Sequence, residues 1–220
     1  MEIYWNTRKG VLSALCAGLQ DVDDMLITIE GIDGSGKTTV WRELKSVFPD
    51  FIFTQEPTDS EFGRFVKNEV GKSSDPFYDL FLFMADHALH VKNVIKPALA
   101  RGNIVICDRY IDSRIAYQGS ALKEKISNSF KWIKDLHAWS IFPDLTILLD
   151  ISPEKSLERC AGRNSKMKFE DVKFLREVRS AYLKMAEEEE RFAVISAERP
   201  LTAVFKNVKK LITEALSSRV

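Results

Sequence analysis

The stretch ITIEGIDGSGKTTVW, residues 27–41, leads from an apolar run into a helical pattern through a glycine-rich loop. The loop matches the phosphate-binding pattern G-x-x-x-x-G-K-[ST] at every fixed position. Glycines let the backbone curl so that successive N–H groups point at phosphate oxygens, and the N-terminus of the following helix adds partial positive charge. The stretch therefore predicts a nucleoside triphosphate site, formed by Gly31, Ile32, Asp33, Gly34, Ser35, Gly36, Lys37 and Thr38.

Two side chains of this loop have individual expected roles. Lys37 is placed to reach the β- and γ-phosphates, so we expect it to be catalytic. The hydroxyl of Thr38 is placed to ligate Mg²⁺. A glycine turn without a ligand is the alternative, and the strand before the loop and the helix after it both argue against that alternative.

The composition is that of a globular protein without excess charge. The 220 residues include 32 lysines and arginines and 32 aspartates and glutamates, which gives no global positive field and no expectation of a nucleic-acid or membrane partner. No apolar run approaches the ~20 residues that span a bilayer. The cysteines are odd in number and far apart, which favours a reducing, cytoplasmic location over a disulfide framework. They are Cys16, Cys107 and Cys160.

Residues 1–24 are interpreted as an N-terminal extension. The segment RKGVLSALCAGL places two basic residues before a short apolar run, as a signal peptide does. Ser13 and Gly18 interrupt that run, and the acidic DVDD follows it without a convincing cleavage pattern. Met25 stands directly before the first predicted strand, so we expect the domain to occupy residues 25–220.

Short apolar runs alternate with helical patterns along the rest of the chain. Nearly continuous apolar runs rich in β-branched or aromatic residues suit strands buried on both faces, as in a parallel sheet. The runs lie at 25–30, 51–54, 104–107, 145–150 and 192–196, and the helical patterns at 37–48, 60–70, 77–101, 122–140, 153–162, 171–190 and 200–218. This order predicts one α/β domain with a five-stranded parallel sheet flanked by helices on both faces.

The residues that follow two other predicted strands indicate how the triphosphate is used. A GTP switch would need a guanine-reading Asn-Lys-x-Asp, which the sequence lacks. A motor ATPase usually places an acidic pair after a buried strand to activate water. Here IVICDR ends in Asp108-Arg109, and LTILLDI contains Asp150 alone. An arginine beside the aspartate favours binding of a second anion, and so phosphoryl transfer to an acceptor over hydrolysis.

Several blocks of the chain resemble the successive blocks of thymidylate kinases. The resemblance covers about residues 25 to 215 in the expected order, and the joint pattern of the loop, DRY and AYQG is specific to this family among P-loop kinases. It implies transfer of the γ-phosphoryl group of ATP to dTMP with Mg²⁺, by a homodimer. The blocks are TIEGIDGSGKTT, TQEPT, LFMADHALHVKNVIKPALARGNIVICDRYIDSRIAYQG, PDLTILLDISPEKSLER and VRSAYLKMA.

The resemblance assigns roles to the charged residues nearest the loop. Asp33 matches the carboxylate that contacts the 3′-hydroxyl of dTMP, although by itself it fits a surface loop equally well. Arg109 matches the arginine that grips the dTMP phosphate, where a guanidinium fork suits the phosphate better than the point charge of a lysine. Asp108 is implied to hold Mg²⁺ through water, its alternative being a cap at the end of a strand.

The resemblance also implies residues that recognise the acceptor. Phe83 matches the aromatic that stacks on thymine, whereas DLFLFMA alone would suggest a core position because it is apolar nearly all round its helix. Tyr117 matches the tyrosine beneath the deoxyribose, where bulk would exclude a 2′-hydroxyl. Gln118 continues that motif, and Glu56 of TQEPT is expected to face the acceptor as well.

Residues 159–170, RCAGRNSKMKFE, resemble the short mobile lid of the family. Arg159 and Arg163 are four residues apart and so share a helix face. Arginines of this kind stabilise the charge on the transferring phosphoryl group, so both are predicted to be catalytic. Read without the loop, the same pair fits a solvated basic face. Gly34 stands where some family members carry an arginine, which leaves the lid to supply the catalytic arginines.

Three positions depart from the pattern of the family. Gln55 stands where many members have arginine, and His87 stands where most have the arginine that contacts the thymine edge. Arg114 occupies a position that is usually small and polar or an amide. Either Arg114 supplies the guanidinium that His87 cannot, or the pocket accepts a different base. The spacing of His87 and His90 also allows a metal site, but no acidic or cysteine partner is evident at ligand spacing.

Two alternatives to dTMP phosphorylation follow from these observations. The departures at Gln55, His87 and Arg114 leave open a related kinase that acts on another nucleotide or on a nucleoside. A nucleotide-binding regulatory protein without transfer activity is the other alternative, because a motif does not demonstrate turnover.

Overall fold

The computed structural model describes residues 24–73, 75–161 and 169–218. Five strands form one sheet: β1 (Met25–Glu30), β2 (Ile52–Gln55), β3 (Ile104–Asp108), β4 (Leu145–Asp150) and β5 (Phe192–Ser196). Every pairing in the sheet is parallel, and the strand order is β2-β3-β1-β4-β5. The five-stranded parallel sheet predicted from the apolar runs is therefore confirmed, and its strand bounds differ from the predicted ones by at most one residue.

The helices of the described residues are α1 (Lys37–Val47), α2 (Glu61–Glu69), α3 (Pro76–His90), α4 (Lys96–Leu99), α5 (Ile111–Leu122), α6 (Ser129–Leu136), α7 (Pro153–Ala161), α8 (Phe169–Glu188) and α9 (Leu201–Ser217). A π-helical turn, Val91–Ile95, joins α3 to α4. Pro97 has no N–H to donate into a regular helix, and its ring would crowd the preceding turn. Pro97 therefore accounts for the wider turn before it, and this turn interrupts the helix predicted at 77–101.

One predicted helix is wrong. The pattern at 122–140 predicts a single helix, but α5 ends at Leu122 and α6 begins only at Ser129, after Asn128 in a left-handed conformation. Gly119 lies within α5, where a Cβ atom would come 2.5 Å from the ring of Phe130. The close approach of α5 and α6 at Gly119 depends on a contact between the two helices, which periodicity along the chain does not show.

Helices flank the sheet in two groups. The connection from β1 to β2 runs outward past β3, whereas the later connections run in the opposite direction across the sheet. Because such crossovers are right-handed, this reversal places α1 on one face and the helices from α2 to α8 on the other. The contacts agree, since α9 packs on α1, and α5 packs on α3, α6 and α8.

The strand order also places the functional loops. β1 is central, with β3 on one side and β4 on the other, and Ile29 pairs with Asp108. The loops after β1 and β3 therefore lie side by side at the carboxyl edge of the sheet, where open α/β sheets bind their ligands. No helix among the described residues is long and apolar enough to cross a membrane.

Candidate active site

The loop between β1 and α1 curls around the ammonium group of Lys37. Gly31 has a φ of 140°, and a Cβ atom there would come 2.5 Å from the carbonyl oxygen of Leu149, so the turn requires glycine. Lys37 is buried, and its Nζ donates to the carbonyl of Ile32 at 2.9 Å. Burial and the nearby Arg109 cation lower the pKa of Lys37 to about 8. The ammonium is thus held inside the loop before any ligand contact.

A cavity of about 790 Å³ opens above this loop. Arg109 lines the cavity, and so do Arg159 and Cys160 from α7. Arg159 donates to the carbonyl of Ala197 at 3.0 Å and to that of Gly34 at 3.4 Å, so it connects the loop to the segment after β5. That segment contributes Ala197, Arg199 and Leu201. The cavity is large enough for a nucleotide and is walled by cations on two sides.

Asp33, Arg109 and Tyr117 meet at one side of the loop. Nη2 of Arg109 donates to Oδ1 of Asp33 at 2.5 Å, and the guanidinium lies 5.3 Å from the centre of the Tyr117 ring. The hydroxyl of Tyr117 accepts from the backbone N–H of Asp33 at 3.1 Å. Burial raises the pKa of the Asp33 carboxyl, but the cations of Arg109 and Lys37 outweigh it and lower that pKa. The three residues form a charged, partly open patch beside the triphosphate loop.

Thr38 and Asp108 bring oxygen ligands together at the start of α1. The Thr38 hydroxyl donates to Oδ2 of Asp108 at 2.8 Å. Among the described residues, Oδ1 of Asp108 is the one buried side-chain nitrogen or oxygen without a hydrogen-bond partner. A buried, unpaired carboxylate oxygen beside a hydroxyl offers the oxygen donors that Mg²⁺ prefers. The residues present therefore fit the predicted magnesium ion.

Comparison with known proteins agrees with this geometry. The profile of the family Thymidylate kinase matches residues 29–208. The chain belongs to the thymidylate kinase family. Over 201 residues it is 50% identical to a protein named probable thymidylate kinase from Methanosarcina barkeri, covering 87% of this chain and 97% of that protein. A relative of the same name from Halobacterium salinarum is 42% identical over 196 residues, covering 87% and 97% of the two chains.

A solved thymidylate kinase has the same fold. The crystal structure of the enzyme from Ehrlichia chaffeensis aligns with a TM-score of 0.67 and 29% identity, covering 86% of this chain and 98% of that one. The predicted fold class and family resemblance are therefore confirmed.

The glycine at position 34, where some thymidylate kinases carry arginine, has a steric reason in this chain. Gly34 has a φ of 74°, and a Cβ atom there would lie 2.6 Å from the carbonyl oxygen of Ser156 and 3.0 Å from Sγ of Cys160. A side chain at this position would have to displace α7 at Ser156 and Cys160. The loop therefore packs directly on α7, next to Arg159.

The remaining predicted site residues are spread over the structure. Phe83 on α3 and Gln118 on α5 are half-buried. Residues 162–168 of the predicted lid, which include Arg163, lie outside the described residues, as do residues 1–23 of the predicted extension. Of the residues predicted to bind the acceptor, Asp33, Arg109 and Tyr117 are in mutual contact beside the triphosphate loop.

Glu56 lies at the centre of a buried cluster. Its Oε1 accepts from Nδ1 of His90 at 2.6 Å and lies 2.9 Å from Nδ1 of His87, and its Oε2 accepts from Arg114. Nη2 of Arg114 is 2.8 Å from His87, and its Nε donates to His137 at 2.8 Å. Burial raises the pKa of Glu56, but the Arg114 cation and the contacts with His87 and His90 hold it well below its usual range.

The cluster bears on two interpretations of the sequence. His87 and His90 share the carboxylate of Glu56, and the described residues contain no group of three or more His, Cys, Asp or Glu side chains arranged so that they could hold a metal ion. The guanidinium of Arg114 lies directly against His87, and both side chains are buried.

Acidification is expected to destabilise the protein through His87 and His137. Burial and the Arg114 cation lower the pKa of His87 to about 4 and that of His137 to about 3. Unfolded histidines bind protons near pH ~6.5, so between that pH and about 4 the unfolded state holds more protons and stability falls as the pH falls. A pKa shift of one unit corresponds to about 1.4 kcal/mol, so the free energy of unfolding is expected to fall by at least roughly 2 kcal/mol over this pH range.

Thermal unfolding of the unaltered protein and of His137→Gln, measured between neutral pH and about pH 4.5, tests this expectation. The variant should lose less stability on acidification. Burial raises the pKa of Glu30 to about 7, so this carboxyl favours the folded state on acidification and acts in the opposite direction. Glu30 is present in both proteins, and the difference between their slopes therefore isolates His137. Equal slopes would contradict the expectation.

Sequence reasoning missed one residue of this region, Glu30, which ends β1 and is fully buried. Arg199, in the segment after the last strand, and Cys160, in the segment 159–170, both line the cavity. The signal for Glu30 was a carboxylate closing an otherwise apolar strand directly before the loop. Asp150, considered as a lone acidic residue, forms a two-bond pair with Arg179 at 2.6 and 2.8 Å. That pairing makes Asp150 an ion-pair partner of α8.

Proposed function

We propose that the protein transfers the γ-phosphoryl group of ATP to dTMP, giving dTDP and ADP. The observation that carries this proposal is the meeting of Asp33, Arg109 and Tyr117 beside the triphosphate loop. A guanidinium at this place can bind a second phosphate next to the first. Family membership supports the same reaction, and neither another acceptor nor a regulatory protein without turnover is favoured by the comparisons.

The reaction follows from positioning and charge. The backbone N–H groups of the loop bind the β- and γ-phosphates, and Lys37 moves its donors from the Ile32 carbonyl to those phosphates. Arg109 binds the phosphate of dTMP and aims one of its oxygens at the γ-phosphorus. That oxygen forms the new bond to phosphorus as the bond to the β-phosphate oxygen breaks and ADP leaves. The attacking oxygen is already anionic, so no general base is needed.

The acceptor residues are proposed to select deoxyribose and thymine. Asp33 would accept the 3′-hydroxyl, Tyr117 would lie beneath the sugar, and Phe83 would stack on the base. Gln118, Glu56 and His87 complete this proposed side of the site, with Arg114 supplying the guanidinium that position 87 lacks. Arg159 and Arg163 are the proposed catalytic arginines. On the donor side, Ala197, Arg199 and Leu201 are proposed to hold the adenine, because they wall the cavity beyond the loop.

Mg²⁺ is the proposed cofactor, held by Thr38 directly and by Asp108 partly through water. Bound there, the ion would neutralise negative charge on the phosphates of ATP during transfer. Asp108→Asn is expected to raise the Mg²⁺ concentration for half-maximal activity about 10-fold or more, because a neutral amide replaces a carboxylate whose Oδ1 is buried without a hydrogen-bond partner among the described residues. A Mg²⁺ titration of activity at saturating ATP measures the shift. An unchanged half-maximal concentration would remove Asp108 from the site.

A panel of acceptors tests the proposed function. The protein is assayed with ATP and Mg²⁺ on dTMP, dUMP, CMP and thymidine, and dTMP is expected to give the highest kcat/KM. A preference for another acceptor would refute the assignment of dTMP, and tight ATP binding without turnover on any acceptor would favour a regulatory protein. Because Gln55, His87 and Arg114 depart from the family pattern, the panel also shows whether these departures alter the choice of base.

The protein is further proposed to be a cytoplasmic homodimer without nucleic-acid or membrane partners. α2 and α3 contact each other and expose apolar side chains, with Phe65 47%, Phe81 55% and Leu89 43% exposed. An exposed apolar patch of this kind supports an interface between two copies. Light scattering coupled to gel filtration measures the mass, and a monomer of 25.1 kDa would contradict the dimer. Cys107 and Cys160, both free thiols, support a reducing compartment.

A further inference from the structure

Glu30 is a fully buried carboxylate that holds the segment carrying Arg109. It is the last residue of β1 and directly precedes the triphosphate loop. Its Oε1 accepts from the backbone N–H of Tyr110 at 2.7 Å, and its Oε2 accepts from the Ser113 hydroxyl at 2.6 Å and the Tyr182 hydroxyl at 2.9 Å. Two of these three donors lie within four residues of Arg109, so the carboxylate fixes that segment against β1.

The backbone of Arg109 needs such support. Its φ of 66° lies in the left-handed region, which a residue other than glycine adopts only when its surroundings hold it there. The N–H of Arg109 donates to the carbonyl of Ile29 at 3.1 Å, and the next N–H along the chain donates to Glu30. The end of β1 therefore binds the peptide on each side of Arg109.

Glu30 also reaches the guanidinium of Arg109 through one hydroxyl. Ser113 donates to Glu30, and its Oγ lies 3.4 Å from Nη1 of Arg109, which donates to it. Because a serine hydroxyl has one proton, its donation to Glu30 leaves its lone pairs facing Arg109. The same guanidinium donates through Nη2 to Asp33. Glu30 thus contacts Arg109 in two indirect ways. It binds the backbone N–H that follows Arg109, and it orients the Ser113 hydroxyl that accepts from the Arg109 guanidinium.

We propose that Glu30 is a positioning residue for the acceptor site, which orients Arg109 toward the monophosphate without contacting substrate itself. The proposal rests on the proposed function, in which Arg109 binds the phosphate of dTMP. Misplacing a substrate-binding group by about 1 Å can reduce the rate by ~10²-fold. Loss of Glu30 is therefore expected to weaken use of the acceptor and to leave the donor unaffected.

Steady-state kinetics of three variants test this proposal at pH 8, above the pKa of about 7 that burial gives Glu30. Glu30→Gln is expected to raise the KM for dTMP roughly 10- to 100-fold, with the KM for ATP changed less than about twofold. Ser113→Ala, which removes the bridging hydroxyl, is expected to shift the same parameter in the same direction. Tyr182→Phe is the control: it removes a donor to the same Oε2 and a 2.9 Å contact with the Ser113 hydroxyl, but it leaves the bonds from Tyr110 and Ser113 to Glu30 in place, so the KM for dTMP should stay within about twofold.

The outcomes separate positioning from a merely structural role. Equal rises in both KM values for Glu30→Gln, or a dTMP-selective rise for Tyr182→Phe, would overturn the proposal. If Glu30→Gln fails to fold, Ser113→Ala decides: a dTMP-selective rise supports the proposal, and an unchanged KM overturns it. The unaltered protein is assayed in parallel. Should it prefer another monophosphate, the proposed function fails, and the same comparison is made with that acceptor to judge Glu30.

Discussion

Arg109→Ala is expected to reduce kcat/KM for dTMP phosphorylation about 10³-fold while ATP binding survives. The guanidinium lies beside the triphosphate loop, paired with Asp33, where it can bind the acceptor phosphate and stabilise the charge that develops during transfer. Loss of one such preorganised donor typically costs ~10²–10³ in rate, and an arginine that contacts the transferring phosphoryl group costs more. Initial rates against dTMP concentration, with ATP binding measured separately by calorimetry, give the two quantities.

Arg109→Lys is the matched control for that substitution. Lysine keeps the positive charge but loses the planar fork, and so should retain only part of the activity. Turnover of Arg109→Ala at the unaltered rate would contradict the assignment of the acceptor site. A parallel loss of ATP binding would mean that Arg109 serves the donor.

Lys37→Met is expected to lower kcat by about 10³-fold, the second large effect. The ammonium is buried inside the loop, 2.9 Å from the Ile32 carbonyl, and is the cation placed to reach the β- and γ-phosphates. Methionine has a similar length and fills the same space without the charge. Single-turnover rates at saturating ATP and dTMP measure the chemical step independently of weakened binding.

Lys45→Met provides the control for charge loss on the same helix. Lys45 is exposed on α1, and its Nζ lies 5.6 Å from the centre of the Trp41 ring. Its replacement should leave kcat within about twofold, because an exposed surface charge is screened by solvent. Comparable losses in the two variants, or an unaffected Lys37→Met, would show that the loop lysine does not stabilise the transferring group.

The triphosphate loop was predictable because its signal is local. The spacing of Gly31, Gly36 and Lys37 dictates the curl of the backbone, and the apolar run before it dictates the buried strand. The strands were predictable for the same reason, since nearly continuous apolar runs mark strands buried on both faces. The meeting of Asp33, Arg109 and Tyr117 was expected only through the resemblance to thymidylate kinases, because these residues are far apart in the chain.

The features that could not be predicted from the sequence depend on contacts between separate helices and strands. The role of Glu30 requires the parallel register of β1 and β3 and the approach of Tyr182 from α8. The break between α5 and α6 reflects the close packing of Phe130 on Gly119. These distances are set by packing across the core, which periodicity along one segment does not report.

The most direct measurement is a crystal structure with dTMP, Mg²⁺ and a non-hydrolysable ATP analogue bound together. The guanidinium of Arg109 should lie about 3 Å from an oxygen of the dTMP phosphate, and the ammonium of Lys37 at the γ-phosphate of the analogue. A monophosphate bound elsewhere, with Arg109 still directed only at Asp33, would contradict the proposed acceptor site.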